Sequence, residues 1–407
     1  MTACFGQMNS IGTFQAYIST HQLQDYSPST TGWIFSLYVF LAFFCGVQIG
    51  PVFDARGPRG LILAGSVIGV TGMMLLGICS EYWHFIIVWG ILGGTGAALI
   101  FTPAVASIGH FFLARRGVAT GIATTGGSVG GIVFPLMLQG LIPKIGFAWS
   151  TRVMGLIILV LTLFANLLIR SRLPRVRGVS ARPDFGIFAE PTFLLTTIGV
   201  FLIEWGLFIP LSYISSYALA NGVSPAFSYQ LLAIFNAGSF FGRAVPGWIS
   251  DHLGRFNAMI LTIALCLLTT LALWLPAGTS TALIVLYAVS FGFASGSNIR
   301  LVFDHVLWTK AQKKLTRSFS PPLSSLTSVC VGQLCKTENY GRYYATCYTI
   351  VSFGSLTGIP IAGQIISMDN GSYWGLIVFT GMCYAGGLVA FVAARAVAVG
   401  WSVRVVF

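Results

Sequence analysis

Long apolar runs with almost no charge inside them constrain this chain more than any other feature. A helix needs about 20 apolar residues to cross a bilayer. Eleven stretches read as such spans: 31–50, 60–79, 83–106, 117–140, 151–170, 191–213, 227–249, 257–276, 281–299, 343–367 and 373–395. The stretch 2–19 is a weaker twelfth candidate, because it holds Gln7, Asn9, Ser10 and Gln15. Of the 407 residues, 56% are hydrophobic and only 8% are charged. Soluble domains carry about 25% charged residues, so most of this outer surface must face lipid. The 48 glycines agree with that, since glycine lets membrane helices approach closely.

The net charge of +12 raises the question of nucleic acid, and its distribution answers it. One set of loops carries Arg56 and Arg59, Arg115 and Arg116, the group Arg170, Arg172, Arg175, Arg177 and Arg182, then Arg255, Lys336 and Arg342. The tail adds Arg395 and Arg404, whereas the alternate loops carry only Lys144. Basic residues concentrate in cytoplasmic loops. Both termini are therefore expected in the cytoplasm, with a lipid bilayer and not nucleic acid as the large partner. The basic linker 171–190 divides the chain into six-span halves, 1–170 and 191–407. No cleavable signal peptide is read at the start, because the first apolar stretch lacks a basic leader. The eight cysteines mostly lie in apolar segments without metal-ligand spacing, and they read as small hydrophobes. No metal and no cofactor are expected. His84, His110 and His252 sit at span edges with no triad-like pattern, so an enzyme is the least favoured class.

An internal repeat organises the halves. Gly50-Pro-Val-Phe-Asp54-Ala-Arg-Gly57-Pro-Arg59 follows the second span of the first half. Gly247-Trp-Ile-Ser-Asp251-His-Leu-Gly254-Arg255 follows the second span of the other. Two repeats of six helices are one architecture of secondary transporters. With this loop the chain resembles the major facilitator superfamily, whose best-known motif lies between spans 2 and 3. The resemblance implies an all-α membrane protein with twelve transmembrane helices in two six-helix pseudo-repeats. It also implies a gating role for Gly50, Asp54, Gly57, Arg59, Gly247, Asp251, Gly254 and Arg255. Gly50 would allow a tight helix approach, Asp54 would meet a helix dipole, and Arg59 would pair with a carboxylate. Such contacts would hold the cytoplasmic side shut and release it during transport.

Within that superfamily the chain is similar to the monocarboxylate-transporter family, in its fungal branch. The similarity is carried by Ser27-Pro-Ser-Thr30 before Gly32-Trp33, by Arg115-Arg-Gly-Val-Ala-Thr-Gly121 and by Gly126-Gly-Ser-Val-Gly-Gly131. Gly242-Arg243 with Pro246-Gly247, and Gly358-Ile-Pro-Ile-Ala-Gly363, complete it. It implies that Arg243, followed after three residues by Gly247, holds a substrate carboxylate. Animal members have a lysine in span 1 and an aspartate four residues before this arginine. Here span 1 has no lysine and Ser239 takes the aspartate's place, so proton-coupled lactate transport does not carry over.

The residues alone also single out Arg243. It lies eight residues before Asp251, roughly 12 Å into a core about 30 Å thick. An arginine at that depth must face a partner or a cavity, and its donor fork suits a carboxylate. The competing reading is a structural salt bridge. Glu204, near the middle of span 7, is the second candidate. It would exchange a co-transported proton, pair with Arg243 or serve helix packing; rise alone separates the two by roughly 8 Å along the membrane normal. Asn9, Gln15, Tyr213, Tyr229 and Asn236 could line the path, with helix packing as their simpler role. The glycine runs at 90–96 and 121–131 read as packing surfaces. Arg152 reads as an interfacial anchor. Asn370-Gly-Ser372 is a glycosylation sequon in a very short outer loop.

Residues 300–324 break the pattern with Arg300, Asp304, Lys310, Lys313, Lys314, Arg317 and Pro321-Pro322. They read as a cytoplasmic loop or as an inserted segment, such as a retained intron. Removing them joins Ile299 to Ser325 and restores an apolar helix to Leu334, which favours the insertion. The expected function is secondary active transport of a small organic solute across the plasma membrane by alternating access, with a monocarboxylate or other acidic metabolite as cargo. Efflux of a secondary metabolite or toxin is the alternative, and a non-transporting membrane sensor is a reading of another class.

Overall fold

The computed structural model describes residues 1–111, 116–170, 185–253, 255–296 and 340–400. The segment 300–324 and the end of span 10 lie outside the described residues. The described chain is all helical: α1 (Thr2–Asn9), α2 (Ile11–Thr20), α3 (Pro28–Arg56), α4 (Pro58–Leu76), α5 (Tyr82–Phe85), α6 (Gly94–Phe111), α7 (Arg116–Leu168), α8 (Pro191–Ala220), α9 (Pro225–Leu253), α10 (Arg255–Thr269), α11 (Thr281–Gly296), α12 (Tyr340–Met368) and α13 (Trp374–Val399). Eight stretches are long and apolar enough to cross a membrane. One of them, Ile122–Leu168, has 47 residues, enough for two crossings at about 20 residues each.

Local chemistry explains most boundaries. Ser27 caps α3 by accepting the Thr30 amide at 3.1 Å, and Pro28 fills the first helical position, where no amide partner is needed. Gly57 ends α3 in the left-handed region (φ 81°), and its amide donates to the Phe53 carbonyl at 2.7 Å. This is the first glycine of the loop motif after Gly50, and any side chain at that φ would be strained. Pro58 then opens α4.

Two features depart from the sequence expectation. The first span is not one rod: it breaks at Ser10, whose hydroxyl donates to the Gly6 carbonyl at 2.7 Å. A hydroxyl bonding back one turn competes with the helical ladder. The fifth and sixth spans are two helices that meet directly at Gly146 (φ 75°, ψ 169°), in the stretch between the predicted spans, with helical residues on both sides in place of an irregular loop. Before the kink the helix lies against α1, where Gly130 meets Gly6, and just past it Phe147 stacks on Tyr17 of α2 at 5.0 Å. After it the helix returns along α4, where Gly155 meets Met73 and the Asn166 amide donates to the Ser66 hydroxyl at 2.9 Å. The fourth and ninth spans contain π-helical stretches, Ile86–Gly93 and Thr270–Trp274, each burying a tryptophan, Trp89 and Trp274.

Small residues set the closest packing. Gly238 and Gly242 on α9 face the backbone of Val289 and Phe293 on α11, while Gly292 and Gly296 face Phe235 and Ser239. This four-residue spacing on both helices brings the backbones together, as is common between helices in membranes. Elsewhere apolar side chains point outward, such as Leu63 and Val67 on α4 and Leu156, Val160 and Leu163 on α7. They form the lipid-facing shell that the composition requires.

Candidate functional site

Arg243 lies where α9 meets α7, and it is 1% exposed. Its Nη1 donates to the Thr124 carbonyl at 2.5 Å and its Nε to the Ser239 hydroxyl at 3.3 Å. Its guanidinium carbon stands 6.0 Å from the centre of the Phe5 ring on α1, at the edge of cation–π range. Ser239 therefore occupies, as a neutral partner, the place of the missing aspartate. Because α7 precedes the linker and α9 follows it, this arginine joins the amino-terminal helices (α1–α7) to the carboxy-terminal ones (α8–α13).

Asn9 and Asn236 extend the same seam. Asn9 Nδ2 donates to the Gly127 carbonyl at 3.1 Å. Asn236 Nδ2 donates to Leu232 O at 2.8 Å and to Asn9 O at 3.4 Å. The glycine ridge of α7 makes this approach possible. A Cβ at Gly127 would stand 3.0 Å from Arg243 Nη1, and one at Gly131 would stand 2.5 Å from the Asn236 side chain. The run 121–131 thus does more than pack helices: it leaves room for three polar side chains. Thr124, Gly127, Gly131 and Phe5 were not legible as site residues. The Gly126-Gly127 and Gly130-Gly131 pairs, four residues apart, were the available signal.

Glu204 is placed apart from Arg243 and is not bonded to it. It is 3% exposed, and its Oε2 has no hydrogen-bond partner. It lies two turns before Leu211 on α8, so both share one helix face. Leu211 meets Gly12 of α2, which turns that face toward the amino-terminal helices. Cys347 of α12 and Tyr384 of α13 are within electrostatic reach of the carboxyl.

Toward the side carrying few charges, the two helix sets close on each other. Tyr213, 2% exposed on α8, donates to the Ile359 carbonyl of α12 at 3.1 Å and lies 3.4 Å from the Pro28 carbonyl of α3. Gly32 of α3 packs on Ile359, and Gly363 of α12 packs on Pro28 and Ser29. Gln15 adjoins Tyr213, and Tyr229 lies within electrostatic reach of Tyr17. Tyr213 is thus a link in a closure and not an open lining residue. A net hydrogen bond is worth about 0.5–1.5 kcal/mol, so Tyr213→Phe is expected to raise labelling of a Ser29→Cys thiol by an impermeant maleimide roughly 2- to 10-fold. An unchanged labelling rate would show that the hydroxyl does not hold this side shut.

The loop motif is only partly described. Gly50 is buried, Gly57 forms the turn and Arg59 is exposed. The side chains of Asp54, Gly247, Asp251 and Arg255, and all of Gly254, lie outside the described residues. Arg152 stacks its guanidinium over Trp149 at 4.9 Å, in keeping with an interfacial anchor. Asn370 is exposed in a turn at φ 52°. Among the described residues no group of three His, Cys, Asp or Glu is placed to hold a metal.

Comparison with known proteins gives this arrangement its setting. The family model described as Major Facilitator Superfamily matches residues 1–308. The riboflavin transporter MCH5 of Saccharomyces cerevisiae is 34% identical over 425 aligned positions, covering 98% of this chain and 77% of the relative. The fujikurins efflux protein of Gibberella fujikuroi is 35% identical over 390, covering 94% and 78%. The crystal structure of the nucleoside transporter NupG superposes with a TM-score of 0.69 over 97% of this chain and 98% of that one, at 16% identity, a likeness of fold. With eight described stretches long and apolar enough to cross a membrane, a family match over most of its length and transporters, not enzymes, as its relatives, the chain is a multi-pass membrane protein that belongs to the major facilitator superfamily.

Proposed function

We propose that the chain is an efflux carrier for a small metabolite bearing an acidic group. Residues 1–170 and 191–407 would act as two rocking halves joined by the linker 171–190. The observation that carries the acidic group is Arg243, a permanently charged fork buried where both helix sets meet. A carboxylate offers that fork two parallel acceptors in place of one carbonyl. The export direction is supported by relatives: one about equally similar to the others is named for efflux of fujikurins. The basic loops support cytoplasmic termini, and residence in the plasma membrane follows from an export role. Uptake of a simple monocarboxylate is the second reading, supported by the family-like Gly242-Arg243 and Pro246-Gly247 run.

Transport by purified protein in vesicles of known orientation tests both. Labelled lactate, benzoate and larger aromatic acids are expected to move faster than through protein-free vesicles, with the larger acids favoured and export as the preferred direction. No acid moving above the protein-free rate would overturn the proposal; lactate alone moving, inward, would favour the second reading. Glu204 is proposed as the proton-exchanging group, being a buried carboxyl with an oxygen free of protein partners. Wild-type rates are expected to depend on pH, and Glu204→Gln to flatten that profile. A Glu204→Gln profile that follows wild type would assign proton coupling elsewhere.

A further inference from the structure

We propose that protons reach Glu204 from the side carrying few charges along a hydrated seam between α2 and α8, apart from the α7–α9 seam that holds Arg243. This rests on the reading of Glu204 as the proton-exchanging group and adds the route. The face of α8 that carries Glu204 continues outward through Leu211 and Ser215, which lie about two and three turns beyond it. Ser212 and Ser215 stand roughly 12 and 17 Å past Glu204 along the helix axis. Opposite them, Gly12 of α2 meets the Leu211 carbonyl, and Gln15 adjoins Tyr213. Thr13 and Gln15 therefore come level with Ser212 and Ser215.

All four side chains are buried, Thr13 and Gln15 at 2% exposure and Ser212 and Ser215 at 0%. Thr13 Oγ1, Gln15 Oε1, Ser212 Oγ and Ser215 Oγ have no hydrogen-bond partner among the described residues, and neither has Glu204 Oε2. Other hydroxyls on the same helices are engaged: Ser19 on α2 donates to the Gln15 carbonyl at 2.6 Å and Thr196 on α8 to the Thr192 carbonyl at 2.8 Å. A buried polar group without a partner is costly, and ordered water is its usual partner. Each hydroxyl both donates and accepts, so it hands on a proton by making one O–H bond as it breaks another. The net change is one proton moved from outer water to the Glu204 carboxylate. With Gly12 seated on Leu211 the seam is narrow, which suits water and not a metabolite. That backbone contact is the step between the polar seam and Glu204, and it loosens as the helix sets part. The titratable groups within electrostatic reach of Glu204 are the Cys347 thiol of α12 and the Tyr384 phenol of α13. Toward the outer end stand the phenols of Tyr17 on α2, Tyr213 on α8 and Tyr229 on α9.

Labelling with dicyclohexylcarbodiimide tests this, because the reagent crosses bilayers and adds to a protonated carboxyl, taking its proton onto nitrogen. The full chain in vesicles of known orientation is labelled while outer pH is stepped at fixed inner pH, and then the reverse. Mass spectrometry reads the adduct on Glu204, with Glu204→Gln as the blank. Lowering outer pH is expected to speed wild-type labelling roughly 2- to 10-fold per unit, the upper figure being the limit for a single proton. Ser212→Ala combined with Ser215→Ala, and separately the isosteric Thr13→Val, remove hydroxyls without adding bulk and leave an apolar seam that stays dry. Both are expected to lose most of the response to outer pH and to keep the response to inner pH. A wild type that answers inner pH alone, or variants that keep the full outer response, would overturn the route while leaving Glu204 as the exchanging group. Should the double variant fail to fold, Thr13→Val decides alone. Wild-type labelling indifferent to pH on both sides overturns the reading of Glu204 and the route with it.

Discussion

Replacing Arg243 by alanine is expected to lower affinity for an acidic cargo roughly 10- to 150-fold, the factor equivalent to one charge-assisted hydrogen bond of about 1.5–3 kcal/mol. Stability should not fall in step. The guanidinium is almost wholly buried with the Thr124 carbonyl and the Ser239 hydroxyl as neutral acceptors. Removing a buried charge relieves its desolvation cost, while the shorter side chain leaves a cavity, so the two changes in stability partly offset each other. Affinity has no such offset, so the lost fork governs transport. Arg243→Lys keeps the charge but cannot reach two acceptors with fixed geometry, and it should recover only part of the affinity. Melting in detergent and flux of labelled acids, measured on the same preparations, separate the effects. An alanine variant carrying acids at the wild-type rate would leave Arg243 a packing residue.

The second large effect is steric. At Gly130 a Cβ would stand 2.6 Å from the Gly6 Cα and from the Thr2 carbonyl oxygen. Both are backbone atoms, which cannot turn aside as a side chain can. Gly130→Val must therefore push α1 off α7, and overpacking of this kind costs about 1–3 kcal/mol or more. Because α1 carries Asn9 and Phe5, the displacement should reach the Arg243 seam and stop transport as well as lower the melting temperature. Gly60→Val is the control, since no atom stands within 4 Å of a Cβ there. It is expected to fold and transport normally. Equal melting of the two variants would mean that α1 yields without cost.

Much of the fold was legible because lipid imposes a simple rule. Apolar runs of sufficient length marked the crossings. Breaks inside the spans were not legible. Ser10 looks like an ordinary small residue in apolar surroundings, and only tertiary packing decides that the chain bends there. Arg243 was legible as a buried charge, but not its partner. A helical carbonyl such as that of Thr124 has no sequence signature, and it is 119 residues distant along the chain. Glu204 illustrates the converse. Depth along the membrane normal allowed a pair with Arg243, while position around the helix axis, which rise alone does not give, placed it elsewhere.

The closure at Tyr213, Pro28, Ile359, Gly32 and Gly363 contains no charged group. Ionic screening weakens attractions between exposed charges, and a membrane potential does work only on charge that moves. A seal made of backbone contacts and one phenol gives neither of them a handle. Its opening should therefore proceed at the same rate in fresh water and brine, and in polarised and depolarised cells, leaving the cargo and the temperature to set its pace.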